Sequence, residues 1–395
     1  MMITLPKVKP SLRLVFVFAF LLRLVVLYLD SYQILHIPFT GNDTENFHNF
    51  TLRRLNGSDV KLTYYTVFLS WIYGVFQDDG RFMAQFVNVL FSYGTLYYVY
   101  RSVSKLNVSS KIVKIAVLLV TFMPVLLCFS GVLLREAWCE FFITLSAFFM
   151  IAWYHKGGSS RLFGAFASVL LAMIMHAGCV GVLIGYMLAV FKGRRDGVKG
   201  CTFESVFSII MIVMIVGVAM TSSSLFLDKF SGVMDSDESY LDKDLSFNQG
   251  GSSYLMWLEG KSTMVGLLFA PLRMFYLLFS PVPWEWRNLM DIIVFMVDSL
   301  IYIILIINIL PPPPTYPSQP EHRSSTTVDA QYLSLHSKIR RCFVYSILFT
   351  TLIFSLGTSN SGTAIRHRAK IIPIVCVAYV VSTKLKDVAK HRRGP

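Results

Sequence analysis

Leu14–Asp30 reads Leu-Val-Phe-Val-Phe-Ala-Phe-Leu-Leu-Arg-Leu-Val-Val-Leu-Tyr-Leu-Asp, and a short way on Thr40–His48 reads Thr-Gly-Asn-Asp-Thr-Glu-Asn-Phe-His. The first stretch is apolar over the roughly 17–25 residues a helix needs to cross a hydrocarbon core. The second places two carboxylates, Asp43 and Glu45, beside an imidazole, His48, where the chain leaves that span. Together they predict a membrane helix that delivers a chemically competent polar segment to a bilayer surface. Taken alone, the polar segment also fits a hydrated loop, because Asp, Asn and Gly are common in loops.

The rest of the composition agrees with a membrane setting. Of 395 residues, 54% are hydrophobic, 14% aromatic and 15% charged, whereas soluble domains carry roughly a quarter charged residues. Apolar runs recur along the chain, so the expected class is all-α. It is a polytopic helical membrane protein of about ten transmembrane helices plus outer interfacial helices. A single membrane-embedded domain over 1–395 is expected. The net charge of +13 does not argue for nucleic acid, because most Lys and Arg fall between apolar runs, as the positive-inside bias places them. The six cysteines have no paired spacing, which implies neither a zinc site nor a disulfide framework. The first run lacks a small-residue cleavage site and reads as a retained helix.

Lys7, Lys9 and Arg13 put the N-terminus in the cytoplasm. Residues 31–80 then form an outer loop. Within it the aromatic run Tyr64–Phe76 is too short to cross and reads as an interfacial helix. Further spans are expected over Phe82–Tyr100, Ile112–Phe129 and Ala137–Tyr154. Leu162–Phe191 is too long for one helix and splits near His176. A span over Phe203–Met220 leads into a second outer loop, 221–287, with an interfacial or re-entrant segment over Met264–Phe279. Leu289–Leu310 returns inward. Residues 311–341 read as a flexible, proline-rich cytoplasmic linker. Phe343–Leu356, an outer loop over Gly357–Lys370 and a last span Ile371–Val381 bring the C-terminus inside.

This topology strands Arg135, Arg273, Arg366, His367, Arg368 and Lys370 on the outer side, with His176 nearby. Ionisable groups at membrane depth are expensive and tend to be functional, and a guanidinium fork suits phosphate oxygens. The plainer readings are snorkelling to headgroups and local pairing, such as Arg135 with Glu136.

The order of elements resembles the multi-spanning glycosyltransferases of the GT-C superfamily. The matching text is Asn42-Asp43-Thr44-Glu45-Asn46-Phe47 after the first span, then Thr63–Leu69, then Gly80-Arg81-Phe82 leading to Asn88, with Glu136 as an acidic residue between the third and fourth spans. The family's prolines before Tyr64 are missing. Ser130-Gly-Val-Leu-Leu-Arg-Glu136, His176 among small residues, and Gly362-Thr-Ala-Ile-Arg-His-Arg368 look similar to elements of Wzy and EpsG-type polysaccharide polymerases. The resemblance implies inverting transfer at the outer face of a bacterial inner membrane, in polysaccharide or O-antigen biosynthesis. Donor and acceptor would be polyprenyl-(pyro)phosphate-linked glycans, with membrane lipids and other polysaccharide-assembly proteins as partners.

Such transfer needs a carboxylate to take the acceptor's proton and cations for the leaving phosphate. Asp43, then Glu45, are the candidate bases. His48, Arg135, Glu136, His176, Arg273, Trp284, Arg366, His367 and Arg368 are the candidate substrate-binding residues. No cofactor is expected, although Asp43 and Glu45 could also serve as oxygen ligands to a divalent metal. The rival expectation is a transporter or flippase for lipid-linked oligosaccharide, which should carry comparable charges at both faces or along a mid-membrane path.

Overall fold

The computed structural model describes residues 9–40, 42–58, 63–195, 252–258, 263–309 and 326–392. The span expected over Phe203–Met220, the acidic run Asp235–Asp244 and the proline-rich 311–325 lie outside the described residues. Among the described residues the secondary structure is helical, apart from an isolated bridge between Ser253 and Asn360.

The chain opens with α1 (Pro10–Ser31), α2 (Asp43–Leu55), α3 (Tyr64–Phe76), α4 (Gly80–Lys105) and α5 (Ser110–Phe122). Then come α6 (Pro124–Cys128), α7 (Glu136–Lys156), α8 (Ser159–Met175) and α9 (Val180–Arg195). Later helices cover Thr263–Leu268, Ala270–Phe279, Leu289–Val294, Leu300–Ile309, Thr326–Leu356, Ser361–Ala369 and Ile372–Arg392. Four helices are long and apolar enough to cross a membrane: Pro10–Ser31, Glu136–Lys156, Leu289–Ile309 and Leu333–Leu356. Two of these turn apolar side chains outward, through Leu14, Val17, Leu21 and Val25 on the first and Leu289, Ile293, Met296 and Ile307 on the third. Such exposed apolar faces suit a lipid environment rather than water. By length and composition the described helices give four crossings, not the expected ten or so.

Several boundaries differ from the sequence reading, each for a local reason. The expected loop after α1 contains α2. Its polar sequence hides a helix with Asp43 and Glu45 in the first turn and Arg53 and Arg54 in the last, each sign at the end where the helix dipole favours it. The expected span Ile112–Phe129 is broken at Met123, because Pro124 has no N–H to continue the ladder. The linker expected over 311–341 is contradicted from residue 326 onward. A 31-residue helix begins at Thr326, and Leu333, His336, Ile339, Arg340 and Phe343 form its buried stripe. Two polar members of that stripe disguise its periodicity. The expected outer loop Gly357–Lys370 contains the helix Ser361–Ala369, started by Asn360, whose Oδ1 accepts from the N–H groups of Gly362 and Thr363. Leu289–Ile309 carries a π-helical turn, Phe295–Ser299, with buried Asp298 on it.

The Ile372–Arg392 helix is the centre of the bundle. Ile371, Ile372, Ile374, Val375, Cys376, Val377 and Ala378 are all fully buried. It packs on α4, α5, α7 and the Thr326–Leu356 helix. α9 and Thr326–Leu356 pack backbone against backbone. A Cβ on Gly181 would lie 2.3 Å from Thr350 Cα, and one on Gly185 would lie 2.4 Å from Ser346 Cα. Small residues one turn apart let two backbones approach, so Gly185→Ala would force these helices apart. Arg23, inside α1, is also fully buried. It is satisfied there by Ser92 Oγ at 2.9 Å, Ala19 O at 3.0 Å and Val120 O at 3.4 Å.

Candidate functional site

The site is built where α2, the turn before α7 and the Ser361–Ala369 helix meet. Asp43, in the first turn of α2, accepts a charged hydrogen bond from Arg366 Nη1. One residue beyond that arginine's helix, Lys370 donates to Glu136 Oε1 at 3.0 Å and to the Arg366 carbonyl at 3.3 Å. Glu136 opens α7, and Arg135 immediately precedes it. The charges of Lys370, Arg366 and Arg135 all bear on Glu136. Lys370 is fully buried and Glu136 nearly so. Asp43 is half-exposed, with its side chain 45% accessible.

Not every donor here is used. Among the described residues the guanidinium of half-buried Arg135 makes no hydrogen bond or ion pair, and the buried Nε of Arg366 and Oε2 of Glu136 have no hydrogen-bond partner. Buried polar groups are normally hydrogen-bonded, so these atoms mark unmet hydrogen-bonding capacity at this place in the fold. The position of Arg135 is fixed by Asn88 of α4. The Asn88 amide donates to Val132 O at 2.5 Å and to Leu134 O at 2.9 Å, while its Oδ1 accepts from Trp138 Nε1 at 2.7 Å. The turn that carries Arg135 is thereby tied to two helices.

A histidine pair borders this group. His176 is extended at the corner between α8 and α9, where its Nδ1 accepts from the Gly178 N–H at 3.3 Å. Its ring lies 5.0 Å from that of His367. His367 stacks on Phe354 at 4.6 Å and shares a 2.8 Å hydrogen bond with Thr358 Oγ1. Lys370 Nζ lies 5.6 Å from the centre of the same Phe354 ring.

Glu45 is engaged differently. Arg81, in the first turn of α4, holds it in a two-pronged grip at 2.7 and 3.2 Å. Arg81 Nη2 also lies 3.4 Å from Asp30 Oδ2, which accepts from Gln85 as well. The arginine therefore joins the end of α1 to α2 and α4. Its hydrogen bonds hold the Glu45 carboxyl below the usual carboxylate range. His48 shares a 2.8 Å hydrogen bond with Tyr73 Oη of α3. Burial, then the Arg81 charge, pushes its pKa down and favours the neutral ring.

Three candidates lie apart. Arg368 is fully buried, paired with Asp298 and donating to Ser280 O at 2.5 Å and to Ser299 Oγ at 3.1 Å. That arrangement anchors the π-helical turn. Arg273 donates to Leu356 O at 3.3 Å. Trp284 is 67% exposed, parallel to Phe275 at 6.2 Å. Of the eleven candidates the structure brings together Asp43, Arg135, Glu136, His176, Arg366 and His367, with Glu45 and His48 on the adjoining α2 face.

The sequence reading passed over Asp30, Tyr73 and Gln85, and it gave no site role to Arg81 and Asn88, quoted only in the resemblance, or to Lys370, named only as a stranded cation. Arg81 and Gln85 are one helical turn apart, a spacing that could have marked them as one polar face. Among the described residues no three His, Cys, Asp or Glu side chains gather as a metal-holding group. Compared with models of known protein families and with curated protein sequences, the chain matches none of them.

Proposed function

We propose that the protein transfers or polymerises glycan units from a polyprenyl-(pyro)phosphate-linked donor at the outer face of a bacterial inner membrane. The observation that carries this reading is the pairing of Asp43 with Arg366 near Arg135, whose guanidinium makes no hydrogen bond among the described residues and whose charge bears on Glu136. A base and two phosphate-binding cations from remote parts of the chain then share one partly open site. In the reaction an acceptor hydroxyl attacks the anomeric carbon and loses its proton to Asp43. The bond from that carbon to the phosphate oxygen breaks, and the (pyro)phosphate leaves with the electron pair. Arg135 and Arg366 meet the growing charge on that leaving group, the kind of preorganised stabilisation that commonly dominates such steps. Donor phosphate competes with Asp43 for Arg366, so binding releases the carboxylate to act as base. His176 and His367 line the edge of the site. Glu45 keeps α2 in place through Arg81.

The topology that suits this reading adds α4, α5 with α6, α8, α9 and Ile372–Arg392 to the four long apolar helices; with the span expected over Phe203–Met220, outside the described residues, that makes ten crossings and puts both termini in the cytoplasm. The experiment is direct. Purified protein in proteoliposomes is given a labelled polyprenyl-pyrophosphate oligosaccharide as donor and acceptor. The reading expects longer lipid-linked chains and release of polyprenyl pyrophosphate. Movement of the label across the bilayer without elongation would point to a flippase.

A further inference from the structure

A second charged cluster stands at the opposite ends of the helices that build the site. Arg101 and Lys105 lie near the end of α4, Lys156 ends α7, and Arg161 is in the first turn of α8. Phe148 of α7 collects two of them, with Arg101 Cζ 5.4 Å and Lys105 Nζ 5.0 Å from its ring centre. Arg101 Nη1 donates to Tyr97 Oη at 2.7 Å, and Arg161 Nη1 to Gly157 O at 2.7 Å. Both guanidinium groups are thus held in place. The charges of Arg101, Lys156 and Arg161 all bear on Lys105. Among the described residues no carboxylate pairs with any of the four.

Like charges gathered from three helices repel one another unless an anion lies among them. Lysines and arginines that only set membrane orientation need neither a shared aromatic ring nor a fixed guanidinium. The depth of the cluster suggests which anion. α4 has 26 residues and α7 has 21; at about 1.5 Å per residue each is roughly 30–40 Å long. The hydrocarbon core is about 30 Å thick. Arg81 and Glu136 begin these helices, and Lys105 and Lys156 end them. The cluster therefore lies one membrane thickness from Asp43, at the headgroup level of the other leaflet. The geometry points to a binding site for the phosphate of an anionic phospholipid headgroup, held by Arg101, Lys105, Lys156 and Arg161. This site does not depend on the transfer reaction.

The test is native mass spectrometry of the full-length protein with phosphatidylglycerol or phosphatidylcholine. Wild-type protein should retain phosphatidylglycerol preferentially. K105Q/R161Q should lose roughly fivefold in preference per removed charge, about twenty- to thirtyfold for the pair. K111Q/K114Q removes two exposed lysines of α5 outside the cluster and should change the preference less than about twofold if the site is local. Phe148→Leu keeps every charge and should weaken the preference, while an unchanged thermal midpoint in phosphatidylcholine shows that the variants fold. Equal loss in both double variants, or none in K105Q/R161Q, would overturn the site. Displacement of the lipid by millimolar sodium phosphate would assign the cluster to a soluble phosphate instead and overturn the headgroup assignment.

Discussion

Arg366 donates to the carboxylate of Asp43 across 323 residues of sequence. The two side chains are both placed by helix starts. Asp43 stands in the first turn of α2, and Arg366 follows the Asn360 cap by less than two turns. Their contact closes the site between the first and last thirds of the chain. It also sets a competition, because a phosphate that takes Arg366 must displace Asp43.

Arg135→Lys and Arg366→Lys should each fail to restore transfer, although charge is kept. A guanidinium can hold two phosphate oxygens at once, and an ammonium acts as a point charge. Losing one charged hydrogen bond costs about 1.5–3 kcal/mol, roughly ten- to a hundredfold in rate or binding. Chain length and yield at matched expression read this out. Normal polymer from both variants would reduce these arginines to headgroup anchors, since either side chain snorkels.

Glu136 and Lys370 form a buried ion pair at 3.0 Å. Lys370→Met should destabilise the protein by about 3–5 kcal/mol, because it leaves a carboxylate buried without its partner. Adding Glu136→Met should recover most of that loss, since replacing both members of such a pair is often neutral. Thermal unfolding of both single variants and the double variant gives the coupling. Additive losses would mean that the two groups do not act as a pair.

Glu45 links folding to pH. Its folded-state pKa is lowered, first by the Arg81 hydrogen bonds. Its contribution is therefore fully present above the unfolded carboxyl value of about 4.3 and is lost as pH falls through the folded value. His48 acts in the same sense from a higher range. Its folded pKa is also lowered, so stability declines as pH falls below about 6.5. The difference in unfolding midpoint between wild type and Glu45→Gln should stay constant above about pH 5.5 and shrink below about pH 4.5. A difference that grew on acidification would contradict the Arg81 pairing.

Reporter fusions test which ends of the helices share a face. Ser58 and Ser361 should report the outer face and Ser159 the cytoplasm. Ser361 begins the helix that carries Arg366, and Ser159 follows the far end of α7. A cytoplasmic Ser361 together with an outer Ser58 would separate Arg366 from Asp43 by the bilayer and break the site.

Much of the helical pattern could be read from the chain. The aromatic run Tyr64–Phe76 is a helix over those residues, and the long apolar run splits at His176. Both follow from length: a run too short or too long for one crossing must end or turn. The polar helices were less legible. α2 carries a single packed aromatic, Phe47 on Tyr65, rather than an apolar stripe that would show its period, and ion pairs from Asp43 and Glu45 add to that contact. The start of the Thr326–Leu356 helix was masked by a buried His336 and Arg340. Stranded charge drew attention to Arg135 and Arg366, and the structure brings Arg366 to Asp43 and the charges of both arginines to Glu136. The same signal marked Arg368, whose partner Asp298 sits in an expected span. Charge placement reveals that a cation needs a partner, but not whether that partner is a substrate or the protein itself.

The central claim rests on Asp43 as the base. The decisive measurement is transfer by purified Asp43→Asn protein in proteoliposomes, with donor binding measured on the same preparation. Removing a positioned general base typically costs about 10²–10⁴-fold in rate. The account predicts a loss of that size with donor binding at least as tight as wild type, because the neutral amide of Asp43→Asn competes less well for Arg366, while Glu45→Gln, which touches only the Arg81 clamp, loses far less. Transfer at the wild-type rate by Asp43→Asn would contradict it.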